Sequence, residues 1–142
     1  MLSALLDAEA EFVIVGAFAL AAHGNPRSTG DIDIFVHNTA ENAERVLKAL
    51  QTFGAPLSEI AKSDFEKPDM VFQIGLPPRR IDILTSLEGI SGYEEAQKSQ
   101  ISTRVDGLDL PVLGRDVLIR NKTALGRPQD MADVAWLREN TK

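Results

Sequence analysis

The sequence predicts a mixed α/β fold of the α+β kind, a mixed β-sheet flanked by helices, and three patterns carry that expectation. Phe12-Val13-Ile14-Val15 is an unbroken apolar, β-rich run that stops at Gly16, and Ala17-Phe18-Ala19-Leu20-Ala21-Ala22 behind it has helical composition. Asp31-Ile32-Asp33-Ile34 and Arg79-Arg80-Ile81-Asp82-Ile83-Leu84 alternate polar and apolar residues at the strand period. Ala43, Val46, Leu47 and Leu50 fall instead at i, i+3, i+4 and i+7, one face of a helix.

In chain order, Leu2, Leu5 and Leu6 predict a short amphipathic helix before the first strand. The helix after Gly16 should end at His23-Gly24, with His23 as its C-terminal cap rather than a catalytic group. Asn25-Pro26-Arg27-Ser28-Thr29-Gly30 is a polar turn leading to the Asp31 strand. Asn38-Thr39-Ala40-Glu41 can form a capping box for the next helix, which ends near Gly54. Residues 55–69 predict loop or a short helix with solvated charges, and Met70 to Ile74 is the hairpin partner of the Asp82 strand. Asp106-Gly107 between Ile101–Val105 and Leu108–Leu113 is a strong hairpin signal. A helix from about Val117 contains Lys122, and Gly126-Arg127-Pro128 separates it from a last helix whose inward face should be Met131, Val134, Ala135 and Leu137. Trp136 fits core packing better than base stacking.

A length of 142 residues with 44% hydrophobic content predicts one compact domain, residues 1–142. The absence of cysteine rules out disulfides and cysteine–zinc sites and is compatible with a cytoplasmic setting. The longest apolar run, Phe12 to Ala22, is broken by glycine and falls short of the roughly 20 residues of a membrane span. No basic signal-peptide start is present. A net charge of −6 argues against a broadly basic nucleic-acid binder. The charge is uneven, however, with 8 Lys/Arg against 15 Asp/Glu in residues 1–100 and 7 against 6 in residues 101–142, which leaves room for a local basic patch.

Asp31 and Asp33 share one face of their strand, and two hard carboxylates side by side attract a hard cation while repelling each other when unpaired. A solvated acidic strand end is the bland alternative. Gly16 and Ala17 at a strand-to-helix turn present unpaired amides suited to phosphate, although an ordinary buried turn would have the same residues. Arg27, Ser28 and Thr29 would reach the same mouth. Asp82, set among β-branched neighbours, needs a partner, either a cation or a salt bridge from Arg79 or Arg80. Asp130 and Asp133 either complement a helix N-terminus, with Arg127 and Arg138 as partners, or orient Lys122.

The ordered set Gly16-Ala17, Asp31-x-Asp33 and Asp82 resembles the DNA polymerase beta-type nucleotidyltransferase superfamily. His23-Gly24-x-x-Arg27-x-Thr29-x-Asp31-Ile32-Asp33 and Lys122 followed by Arg127-Pro128-x-Asp130-x-x-Asp133 are similar to small prokaryotic nucleotidyltransferases related to abortive-infection toxins of toxin–antitoxin pairs. The likeness covers about residues 12–137. It implies that Asp31, Asp33 and Asp82 hold two Mg²⁺ or Mn²⁺ ions about 3.5–4 Å apart, and that Gly16 and Ala17 hold terminal phosphates of a nucleoside triphosphate such as ATP. Lys122 and Arg127 would offset triphosphate charge. Implied acceptors are RNA ends, a protein hydroxyl or a small molecule such as an aminoglycoside, with an antitoxin or partner subunit and no membrane involvement. One departure stands out: the superfamily usually has serine or a second glycine where this chain has Ala17, which leaves only a backbone N–H. That departure keeps open a catalytically inactive nucleotide-binding or protein-interaction module on the same fold. A purely structural domain, with its carboxylates paired to Arg79, Arg80 and Arg127, is the third alternative.

Overall fold

The computed structural model describes residues 1–25, 31–58, 60–75 and 80–140. Among these the chain runs α1 (Leu2–Asp7), β1 (Phe12–Val15), α2 (Gly16–Ala22), β2 (Ile32–Val36), α3 (Ala40–Phe53), β3 (Val71–Ile74), β4 (Ile81–Leu84), α4 (Tyr93–Ser99), β5 (Ile101–Val105), β6 (Leu108–Val112), α5 (Arg115–Leu125) and α6 (Pro128–Glu139). The strands form one mixed sheet in the order β3-β4-β2-β1-β6-β5. β1 lies inside it with all four residues buried, which is why its sequence is continuously apolar rather than alternating.

Strand direction builds the functional edge. β1 runs antiparallel to β2, so its last residue, Val15, lies opposite Asp33. β4 runs parallel to β2 and sets Asp82 beside Asp33 on the other side. β6 is parallel to β1 and therefore ends at the same edge, feeding through Gly114 into α5. The turn after β1, the acidic starts of β2 and β4 and the approach to α5 converge there.

Local chemistry explains most elements. The Asp106-Gly107 turn has φ of 51° and 80°, the positive pair of a type I′ two-residue hairpin. β6 stops at Val112, one residue short of the expected limit, and Leu113 continues as a buried residue whose N–H donates to the Ile14 carbonyl at 2.9 Å. Gly54 and Gly126 end α3 and α5 in the left-handed conformation. His23 caps α2, and its Nε2 is 2.8 Å from the Leu113 carbonyl, so it ties the helix end to the sheet. Trp136 packs partly buried against the core, as expected. No helix among the described residues is long and apolar enough to cross a membrane.

Two expectations need correction, and one helix was not expected. The cap of α3 is Thr39, whose Oγ1 accepts the Asn42 N–H at 3.2 Å; Glu41 is in the first turn, and Asn42 turns inward to the backbone of Glu11 and His37. α4 was not anticipated: it spans seven residues, too few for a periodic signal, and buries only Tyr93 and Ala96. The inward face of α6 is Asp130, Asp133, Val134 and Leu137, while Met131 is 45% exposed and Ala135 is exposed. Two acids occupy positions that hydrophobic periodicity reserves for apolar residues, so the pattern pointed to the wrong stripe.

Candidate functional site

The site starts from a glycine. Gly16 has φ +69°, and a methyl group there would meet Asp33 Oδ2 at 2.3 Å. Both conditions require glycine, and they let the carboxylate lie directly on the turn. α2 begins at this point with Val15 as its N-cap and no side-chain cap.

A cleft of about 790 Å³ opens over the edge. Gly16, Ala17, Asp31, Asp33 and Asp82 line it from the sheet side, and Lys122 and Arg127 from the helical side. Seven of the singled-out residues are thus brought together. Arg27, Ser28 and Thr29, with Arg79, lie outside the described residues.

The three acids are not equivalent. Asp31 Oδ1 accepts the Arg80 backbone N–H at 2.9 Å. Asp82, 8% exposed, receives the Arg80 guanidinium on both oxygens, Nε to Oδ1 at 2.9 Å and Nη2 to Oδ2 at 3.2 Å. Asp33 has its pKa raised from 3.8 to about 6, first by burial and then by the charge of Asp82 and a hydrogen bond shared with it; Arg80 opposes the rise. Asp33 therefore keeps its proton to a higher pH than an ordinary carboxyl.

On the opposite wall, Lys122 is 5% exposed, with Nζ 3.0 Å from Asp133 Oδ2 and 3.8 Å from Asp130 Oδ1. Asp130 also takes the Arg127 guanidinium, Nε to Oδ2 at 2.6 Å and Nη2 to Oδ1 at 3.1 Å. Those hydrogen bonds hold its carboxyl below the usual range. Both alternatives for this pair hold in part: Asp133 orients Lys122, and Asp130 joins Arg127 at the start of α6.

Two features escaped sequence reasoning. Arg80 was considered only as a salt-bridge partner, yet it lines the cleft; its spacing of two from Asp82 was the available signal. The loop after β4 forms another wall, pinned to α5 by Asn121 Nδ2 donating to the Glu88 carbonyl at 2.8 Å and Arg120 Nε to the Gly89 carbonyl at 3.1 Å. No residue-type pattern announced that wall.

Asp31, Asp33 and Asp82 supply oxygen donors, the set that suits Mg²⁺ or Mn²⁺. Even so, among the described residues no three His, Cys, Asp or Glu side chains stand in a metal-holding arrangement. Arg80 occupies Asp82 and its backbone engages Asp31. The donor chemistry of the three acids fits the ion.

The fold matches solved nucleotidyltransferases. A presumed nucleotidyltransferase from Thermotoga maritima superposes with a TM-score of 0.63 at 17% identity, covering 97% of this chain and 91% of that one. The lincosamide antibiotic adenylyltransferase LnuA, solved with lincomycin, gives 0.63 at 15% identity over 99% and 93%. The antibiotic-resistance factor ANT(2'')-Ia gives 0.61 at 17% identity over 98% and 77%. At such identities these likenesses establish the fold. Among curated proteins there is no match. Residues 2–141 match the family model described as nucleotidyl transferase AbiEii toxin, type IV TA system. With that match over nearly the whole chain, and the mixed sheet that the fold requires, the protein belongs to the AbiEii nucleotidyltransferase toxin family.

Proposed function

We propose that the cleft binds a nucleoside triphosphate with divalent metal, transfers the nucleoside monophosphate to a hydroxyl acceptor and releases pyrophosphate. The observation that carries this proposal is the convergence of Asp31, Asp33 and Asp82 on one sheet edge, facing Lys122 and Arg127 across the cleft. Asp31, Asp33 and Asp82 would hold the two Mg²⁺ or Mn²⁺ ions. Bound there, the ions supply charge neutralisation at the attacking and leaving oxygens. The amides of Gly16 and Ala17 bind the terminal phosphates. Lys122, steered by Asp133, and Arg127, steered by Asp130, offset triphosphate charge.

Residues 1–142 act in this proposal as a single nucleotidyltransferase-like domain, cytoplasmic, with an antitoxin as regulatory partner. ATP is the first nucleotide to try, because LnuA is an adenylyltransferase. An RNA end, a protein hydroxyl and a small molecule are the acceptor classes; ANT(2'')-Ia has been solved with adenylyl-2''-tobramycin. A second proposal, nucleotide binding without transfer, is favoured by one feature: Ala17 brings no hydroxyl to an α2 start that also lacks a side-chain cap.

Calorimetric titration with ATP and the other nucleoside triphosphates, in Mg²⁺ and in chelator, tests binding. Binding in Mg²⁺ that disappears in chelator and in the Asp31→Asn/Asp33→Asn double variant is expected. No binding of any nucleotide in Mg²⁺ would leave the acids as structural groups.

A further inference from the structure

Arg80 holds two of the three cleft carboxylates at once. Its N–H engages Asp31 Oδ1, its carbonyl accepts the Ile32 N–H at 2.9 Å, and its guanidinium forks onto both oxygens of Asp82. The backbone is thereby pinned at the edge of the sheet by two hydrogen bonds. The side chain is 31% exposed and is held by its fork on Asp82. A divalent ion and a guanidinium compete for the same lone pairs of Asp82, and a bidentate fork leaves few of them open.

We propose that Arg80 is a positioning residue that keeps Asp82 closed to divalent metal until a bound triphosphate takes over its guanidinium. The proposal rests on the cleft being the nucleotide site. Metal and nucleotide then bind cooperatively: either ligand alone must displace an ion pair, whereas together they replace it with a metal–carboxylate contact and a guanidinium–phosphate contact. Arginine suits both states because its planar fork matches carboxylate and phosphate geometry equally well.

The test is Mn²⁺ binding to the full chain, followed by electron paramagnetic resonance, with and without a non-hydrolysable ATP analogue, for wild type, Arg80→Gln and Arg80→Lys. Circular dichroism shows that each variant is folded. For wild type, weak Mn²⁺ binding alone that tightens at least tenfold with the analogue is expected. Arg80→Gln should bind Mn²⁺ alone about tenfold tighter than wild type, the scale of one charge-assisted hydrogen-bond set released, and should lose most of the coupling. Arg80→Lys, which keeps the charge without the fork, should fall between. Equal Mn²⁺ affinity of wild type and both variants, with nucleotide-coupled binding intact, would overturn the role of Arg80 alone. No Mn²⁺ binding by wild type with the analogue present would overturn the nucleotide-site reading and this inference with it.

Discussion

Asp33→Asn should stabilise the protein at neutral pH even though it removes a carboxylate from the proposed donor set. Asp33 titrates at about 6 in the folded protein against 3.8 for the free side chain. A raised carboxyl pKa means that the folded state binds the proton more tightly. Stability linked to Asp33 is therefore present below about pH 3.8, declines as pH rises from there through about 6, and stays lower above it. At about 1.36 kcal/mol per pH unit that interval corresponds to ~3 kcal/mol, and partial solvent access reduces it to about 1–2 kcal/mol. An asparagine of nearly the same shape avoids that cost. Thermal unfolding by circular dichroism in chelator should show Asp33→Asn melting roughly 3–8 °C above wild type at pH 7.5, with the gap mostly closed at pH 4. A variant that melts lower than wild type at pH 7.5, or a gap independent of pH, would refute the burial of Asp33 and its crowding against Asp82.

Gly16→Ala should cost about 1–3 kcal/mol, since it forces a side chain into a left-handed position and against Asp33; chemical denaturation measures it, and a neutral result would contradict the contact. Lys122→Met should destabilise by about 3–5 kcal/mol by leaving Asp133 buried without its ammonium partner, and Lys122→Met/Asp133→Leu should recover much of the loss. The orientation of α6 is tested by a pair of substitutions: Met131→Gln should stay within about 0.5 kcal/mol of wild type, whereas Leu137→Ala should lose about 2–5 kcal/mol. Metal-dependent nucleotide binding should weaken as pH falls through about 6, because protonating Asp33 withdraws a donor, and titrations between pH 5 and 8 would show it.

The fold was legible wherever one kind of signal acted alone. β1 was visible as an apolar run because it is covered on both faces, and the β5–β6 hairpin because Asp106-Gly107 suits a two-residue turn with positive φ at both positions. Gly16 stood out because it ends an apolar strand, and the three acids because each adjoins β-branched isoleucine. α6 misled because its buried stripe mixes Asp130 and Asp133 with Val134 and Leu137, and hydrophobic periodicity does not count a carboxylate as interior. The positions of those acids make sense only once Lys122 comes across from α5, a relation between helices rather than within one. Arg80 was hidden differently: pairing with Asp82 two residues away had been foreseen, but its bridge to Asp31 depends on β2 and β4 lying side by side.

Parallel incubation with α-³²P and γ-³²P labelled ATP, and then with the other nucleoside triphosphates, in Mg²⁺ or Mn²⁺ with total cellular RNA and protein, tests nucleotidyl transfer most directly. The account predicts that the α label, and not the γ label, becomes attached to an acceptor, and that attachment is lost in the Asp31→Asn/Asp33→Asn variant. Attachment of the γ label, or α-label attachment that survives in the variant, would contradict it. Metal-dependent nucleotide binding with no transfer to RNA, protein or small-molecule acceptors would favour the non-catalytic module that Ala17 suggests.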